Sequence, residues 1–441
     1  MFSMLAIFAM LGGFVTTASA SAWVEPAPAD RTDPVGTSSS ETSASTSDTP
    51  DVLQPLVVPP PVMSWSFGAF ADLAYVITNN FPHNHVNRGM YTVPRSSEFT
   101  ANLVVAYARH DPTPRSPWWV ELAFQVGSAA DALVLAEPRP GGTTSQLAGA
   151  EVWKHIGRAN AGVVIPSLNT EIGAGLFGTP IGIWSFWAKD NWAYSTPWHL
   201  NGVPYVLMGA KIVQPLGHKV KLHGWIVNGW QTYTDINRVP SYMFGVFYTP
   251  VPSLTLGELV YFGPEEIDQH VAAWRWFSDA QLVYNKERVG IAALWDVGRE
   301  RMTWLPGSPL ALWHAGALSL RWRVIGPPTW RRNTWDMHAR GEIYWDREGH
   351  IYGVPRNTFY SGVYTNDFRL FDHVLLRLEY RYDHASAASG YFYSANANTD
   401  DAGGLARHQH AMYLGLIGYF EWKLHERSAV GDRRAAYTAP I

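Results

Sequence analysis

Tyr205–Trp230 reads YVLMGAKIVQPLGHKVKLHGWIVNGW, two runs of about ten residues around a tight break at Pro215–Gly217. In the second run Lys219, Lys221 and His223 alternate with Val220, Leu222, Gly224 and Ile226. In the first, Val206, Met208, Ala210 and Ile212 occupy one set of alternate positions and Lys211 the other. Side chains two apart in a strand share a face. Each run therefore has a cationic face and an apolar face, and the pair reads as a β-hairpin. A water-soluble sheet would alternate in the same way, so the decision rests on how the pattern repeats.

It repeats from Ser64 onward. Sixteen candidate strands follow, at 64–77, 96–109, 117–130, 147–156, 159–167, 203–214, 218–229, 241–250, 253–262, 272–284, 287–298, 311–323, 333–346, 353–366, 372–384 and 408–422. Their connections alternate between long (Thr78–Arg95, Asp131–Gln146, Leu168–Gly202) and short (Gly157–Arg158, Pro215–Gly217, Asn285–Lys286) over much of the chain. Long loops at one end and short turns at the other are the build of an outer-membrane barrel. The faces give a second argument. Arg377, Glu379, Arg381 and Asp383 share one side of a run whose other side is Leu376, Leu378, Tyr380 and Tyr382. Arg340 and Glu342 repeat this, and Arg321 and Arg323 stand opposite Leu320, Trp322 and Val324. If the apolar side meets lipid, the charged side is the lumen, because charge toward hydrocarbon costs about 2–4 kcal/mol at the midplane. Trp225, Trp230, Tyr248, Trp295, Trp313 and Trp422, near run ends, are expected to form the interfacial aromatic girdles. The expected fold is an all-β transmembrane antiparallel barrel of about 16 strands with short periplasmic turns and long external loops.

Composition agrees. Cysteine is absent from the 441 residues, which removes disulfides and thiolate metal sites. Apart from the N-terminus, no apolar run reaches the roughly 18 residues of a membrane helix, a limit that does not apply to strands. The formal charge of -4 is concentrated in residues 21–60, with six acids against Arg31, and no basic field suggests nucleic acid.

Residues 1–20 read as a signal peptide, with an apolar core at Leu5–Val15 and Ala18-Ser19-Ala20 as the cleavage pattern. Residues 21–60, rich in Pro, Ser and Thr, read as a disordered linker. The barrel is assigned to 61–422 and a polar tail to 423–441.

Within this frame Asn160–Glu265 resembles the putative β-barrel porin-2 family, the OmpL-like outer-membrane porins. The pieces that carry the resemblance are AGVVIPSLNTEIG, DNWAYSTPWHLNGVPYVLMGAKI, VNGWQTYTDINRVPSYMFGVFYTP and LVYFGPEE. The NGW segment with Asp235 and Asn237, and the YFGPE loop, are the more specific of these. The resemblance implies a diffusion channel for small hydrophilic solutes or ions, seated in the lipid of a Gram-negative-type outer membrane. It implies no enzymatic activity and no cofactor. General porin habit suggests a homotrimer.

Leu168–Gly202 is the longest expected loop, rich in glycine and aromatic residues. By analogy with general porins, it is expected to fold inward and constrict the pore, with Glu171, Lys189 and Asp190 at the constriction. The expected lumen lining is Lys211, Lys219, Lys221, His223, Arg321, Arg323, Arg340, Glu342, Arg377, Glu379, Arg381 and Asp383. His83 with His85, and His408 with His410, lack a third partner for a metal and are read as non-metal. Glu265 and Glu266 are adjacent and cannot flank a glycosidic bond. Ser195 and His199 lie close in sequence, but no orienting partner for a hydrolase triad can be picked out. A plugged, non-conducting barrel acting as adhesin or scaffold remains an alternative, since opposite charges can bridge across a closed lumen.

Overall fold

The computed structural model describes residues 63–133, 153–266, 273–303, 305–326, 333–397 and 404–425. Among them, sixteen strands close into one antiparallel barrel. The first eight are β1 (Met63–Thr78), β2 (Phe99–His110), β3 (Trp118–Val126), β4 (Ile156–Ile165), β5 (Thr170–Gly178), β6 (Val206–Leu216), β7 (Val220–Val227) and β8 (Ser241–Tyr248). The others are β9 (Leu254–Pro264), β10 (Trp274–Lys286), β11 (Val289–Arg301), β12 (Leu310–Ile325), β13 (Thr334–Asp346), β14 (Asn357–Leu370), β15 (Val374–Ala385) and β16 (His408–His425). Each pairs with its neighbours in the chain. The ring closes where β1 pairs with β16, with Phe67 opposite Trp422 and Asp72 opposite Ile417. Closure leaves no strand edge unpaired, as a lipid-spanning sheet requires.

The alternation decides which side chain faces which solvent. Leu318, Leu320, Trp322, Leu378, Tyr380, Leu414 and Leu416 are exposed on the outside, while Arg340, Glu342, Arg377, Glu379, Arg381 and Asp383 are buried inside. The seven connections at the end holding both strand termini span at most 8 residues, and the eight at the other end span at least 8. One of the long ones carries a helical turn, α1 (Ser128–Asp131).

The expected number of strands is correct through two compensating differences. The strand expected at 147–156 is absent from its described part, where residues 153–155 form a turn before β4, and its earlier part lies outside the described residues. In exchange, β5 occupies Thr170–Gly178, within the expected loop Leu168–Gly202. Its glycines suggested a loop, but Gly173 serves packing. Gly162 and Gly173 are cross-strand partners, and the Trp119 ring covers both. A Cβ would stand 2.1 Å from that ring at Gly162 and 2.4 Å at Gly173.

Three girdle assignments are corrected: Trp230 packs on the buried, inward-facing Tyr261 and Phe277 rings. Trp225 and Trp313 point inward, at 5% and 0% exposure, whereas Trp295 and Trp422 face out. Parity explains this: Trp225 is in step with His223, and Trp313 with Arg321. The last strand runs to His425, slightly past the expected end at Trp422. The expected signal peptide (1–20), the expected linker (21–60) and residues 426–441 of the expected tail lie outside the described residues.

Candidate functional site

Residues 179–205, between β5 and β6, fold into the barrel and cross it. The segment includes a 3-10 turn (Ala188–Asp190) and a helical turn, α2 (Trp198–Asn201). It first touches β10, where Gln281 Nε2 donates to the Pro180 carbonyl (3.0 Å). It then reaches β1, where the Trp187 ring packs on Phe70 with centroids 5.6 Å apart. It returns along β15, β14 and β13. Tyr194 and Ser195 N–H donate to Glu379 at 2.6 and 2.9 Å. Trp198 N–H donates to Glu342 (2.8 Å), and its indole donates to Ser361 (2.7 Å) and Asp383 (3.0 Å). Guanidiniums hold the carbonyls: Arg377 those of Ala188, Asn191 and Ala193, Arg381 that of Thr196 (3.0 Å), and Arg340 that of Ser195 (2.9 Å).

Missing side chains on the wall make room for this docking. Gly415 lies under the Tyr194 ring and Gly290 under Trp192, where a Cβ would come within 2.6 and 2.7 Å respectively. The Tyr194 hydroxyl donates to Asp72 (2.6 Å) on β1, the strand paired with β16.

The charged ladder therefore has a different setting from the one expected. Arg340, Glu342, Arg377, Glu379, Arg381 and Asp383 face inward, as parity requires, but they do not line open water. Arg381 and Asp383 are 0% exposed, and Arg377 and Glu379 are 1% exposed. They bind the inserted loop's backbone polar groups, which would otherwise be buried without partners. Arg321 and Arg323 converge on Asp336 near the short-turn end. Lys189 and Asp190 pair with each other at 2.6 Å, so the loop offers little net charge to oppose the ladder. Glu171 lies on β5 rather than in the loop. Lys219 belongs to the exposed turn before β7, and His223 is buried against Phe247.

Lys211 and Lys221 remain at open space. A cavity of about 530 Å³ runs between the β2–β7 wall and the loop face at Gly182–Phe186. Its lining includes Arg158, Lys211, Lys221, Glu121 and Glu171. Lys211 Nζ stands 3.9 Å from Glu171 and sits over the Trp119 and Phe177 rings. Arg158 lies over the loop's Trp187 (5.2 Å). Both signs of charge thus occupy one wall and its edge, and the loop supplies the facing surface. Glu121 and Arg158 were missed in the sequence, although parity with Trp119 and Asn160 would have placed them inside.

The more specific sequence segments brace each other near the long-loop end. Glu265 accepts from Trp230 N–H (2.7 Å), and the Asn237 amide donates to the Pro264 carbonyl (2.6 Å). Asp235 caps its own turn by accepting from Asn237 and Arg238 N–H. Glu266 turns away and accepts from Thr303 N–H (3.0 Å). Ser195 and His199 have separate partners. Ser195 Oγ lies by the Arg381 and Arg340 guanidiniums, while His199 Nδ1 meets Asp296.

Residues 64–420 match the family described as putative beta-barrel porin-2, OmpL-like. No curated protein sequence matches the chain. Among solved structures, an anion-selective porin from Comamonas acidovorans superposes with a TM-score of 0.50 at 11% identity, covering 81% of this chain and 99% of that one. The outer membrane channel DcaP of Acinetobacter baumannii gives 0.50 at 10% identity, covering 81% and 97%. At such identities the likeness concerns the barrel and not what passes through it.

Proposed function

The chain belongs to the putative beta-barrel porin-2, OmpL-like family and is an outer-membrane porin, and we propose that small hydrophilic solutes and ions cross it along the β2–β7 wall. The observation that carries this reading is the cavity at Lys211, Lys221, Arg158, Glu121 and Glu171, on the side of the lumen that the loop does not fill. The inserted loop is the constriction, and passage is passive, without catalysis. The long connections face outward from the cell and the short turns face the periplasm. The four basic groups at the passage, Arg109, Arg158, Lys211 and Lys221, outnumber the three acids Asp111, Glu121 and Glu171, which favours a weak preference for anions.

Single-channel recording in planar bilayers under a salt gradient tests this. Stepwise conductance with a reversal potential of the anion-preferring sign is expected. Proper insertion with no current would refute passage. Glu171→Lys removes the acid beside Lys211 and should raise the anion preference by on the order of twofold, the few tenths of a kcal/mol of a half-exposed pair. An unchanged reversal potential in this variant would place the selective point elsewhere.

We further propose a homotrimer seated through the β7–β10 wall. β7 and β8 have only 8 residues each, short of the about 9–11 that a strand needs to cross lipid. On β9 and β10, Glu258 and Ser278 hydrogen-bond (2.5 Å) on the outward face, where lipid is a poor medium for a carboxyl. A neighbouring copy suits this wall better than hydrocarbon does. Cysteines placed at Val246 and Phe244 should cross-link chains in native membranes. Cross-linking only from Leu416 on the opposite wall would contradict this seat.

A further inference from the structure

Asp279 and Asp296 are directly opposed across β10 and β11, and both are buried in the lumen. Like charges in that position repel, and burial without a counter-charge is severe. Elsewhere in this lumen buried acids have a guanidinium or a set of neutral donors, as Arg381 serves Asp383, Arg275 serves Glu300, and Tyr194 with Asn102 serves Asp72. Among the described residues, no guanidinium pairs with Asp279 or Asp296. Arg340, on β13, is committed to Glu342 and to the Ser195 carbonyl.

The two carboxyls come within hydrogen-bonding reach of each other. Yet Asp279 Oδ2 and Asp296 Oδ1, both shielded from solvent, have no donor. The third member comes from the inserted loop. α2 brings the buried His199 against the pair, with Nδ1 2.5 Å from Asp296 Oδ2. Gly182, at φ +78°, closes the far edge of the imidazole, where a Cβ would stand 2.5 Å from Nε2. The Gly182 N–H also donates to Asp279 Oδ1 (3.2 Å). One ligand atom from each of His199, Asp279 and Asp296 lies within 4.8 Å of the others.

We propose that His199, Asp279 and Asp296 hold a divalent transition-metal ion that fastens the inserted loop to the β10–β11 wall. One imidazole nitrogen and two carboxylate oxygens suit zinc, which in many sites takes three protein ligands and one further group. Calcium wants six to eight oxygens, more than these residues offer. Neutral imidazole, two carboxylates and a dication sum to zero charge, which removes the repulsion between the acids. Ligand atoms on a tetrahedral zinc stand about 3.3 Å apart, so the His199–Asp296 contact would open by about 0.8 Å. The ion would enter as the loop docks, since the pocket is covered afterward. The inference rests on the position of the loop and not on which solutes pass.

The full-length protein, extracted from membranes in detergent and stripped with EDTA, is titrated with Co²⁺. One equivalent per chain is expected to bind with visible d–d bands, and Zn²⁺ should displace it. Asp279→Asn, which preserves volume, should abolish the bands, as should His199→Gln. His408→Ala should leave them unchanged. Retention of heat-modifiable gel mobility verifies the fold of each variant. Wild-type protein that takes up no stoichiometric Co²⁺ overturns the proposal and leaves a proton shared between the carboxyls. Bands that persist in folded Asp279→Asn also overturn it, by placing the ion elsewhere.

Discussion

Arg381→Met is expected to lower barrel stability by about 3–5 kcal/mol, the loss typical when one partner of a buried ion pair is removed. Arg381 Nε bridges both oxygens of Asp383 at 2.8 and 2.9 Å, and Nη1 reaches Glu342 at 3.2 Å and the Thr196 carbonyl at 3.0 Å. Methionine fills much of the volume but leaves Asp383 facing Ser361 and the Trp198 indole with no cation. It also releases one of the anchors of the inserted loop. Two readouts should move together: the urea midpoint in lipid vesicles should fall, and single-channel current should become noisier as the loop loosens. Arg381→Lys should recover only part of the loss, because an ammonium cannot reproduce the planar fork. A change in stability below about 1 kcal/mol would mean that water reaches this ladder, as an exposed ion pair is worth no more than that.

The second large effect is on selectivity. Lys211→Glu combined with Lys221→Glu should reverse the preference from anions to cations. These two ammoniums face the free part of the lumen, and their replacement leaves Arg158 and Arg109 against an enlarged set of acids. Charge at a narrow, low-dielectric passage acts strongly on the ion in transit. The contrast lies in the ladder: Arg340→Gln should disturb loop docking more than ion choice, because Arg340 is buried behind the loop. Reversal potentials of the two variants under the same salt gradient separate these cases. An unchanged sign in the double variant would remove the β2–β7 wall from the conduction path.

Much of the barrel was legible because a strand between lipid and lumen records its surroundings at every second residue. The faces of Leu375–Asp383 and of Lys211 with Ile212 were readable for that reason. Legibility failed where glycine answered to packing instead of turning. Gly173 and Gly175 made β5 resemble a loop, when Gly173 makes room for Trp119 beside Gly162. Position at a run end misled for Trp225 and Trp313, while parity would have placed both correctly. The candidate site was half legible: Lys211 and Lys221 followed from alternation, but the roles of Arg377, Arg381 and Glu379 did not. A charge facing inward has the same sequence signature whether it meets water or a loop backbone.

By itself, the amino-acid sequence determined the barrel, the inward and outward faces, the sorting of long and short connections, and the family. These are local properties, written in a period of two and in segment length. Only the tertiary structure decided that residues 179–205 divide the lumen and that the Arg–Glu ladder anchors that segment. It also decided that His199 meets Asp279 and Asp296 across spans of 80 and 97 residues. No periodicity encodes such meetings. They depend on where a glycine leaves room for a ring, and on buried backbone groups that must find partners once water is excluded.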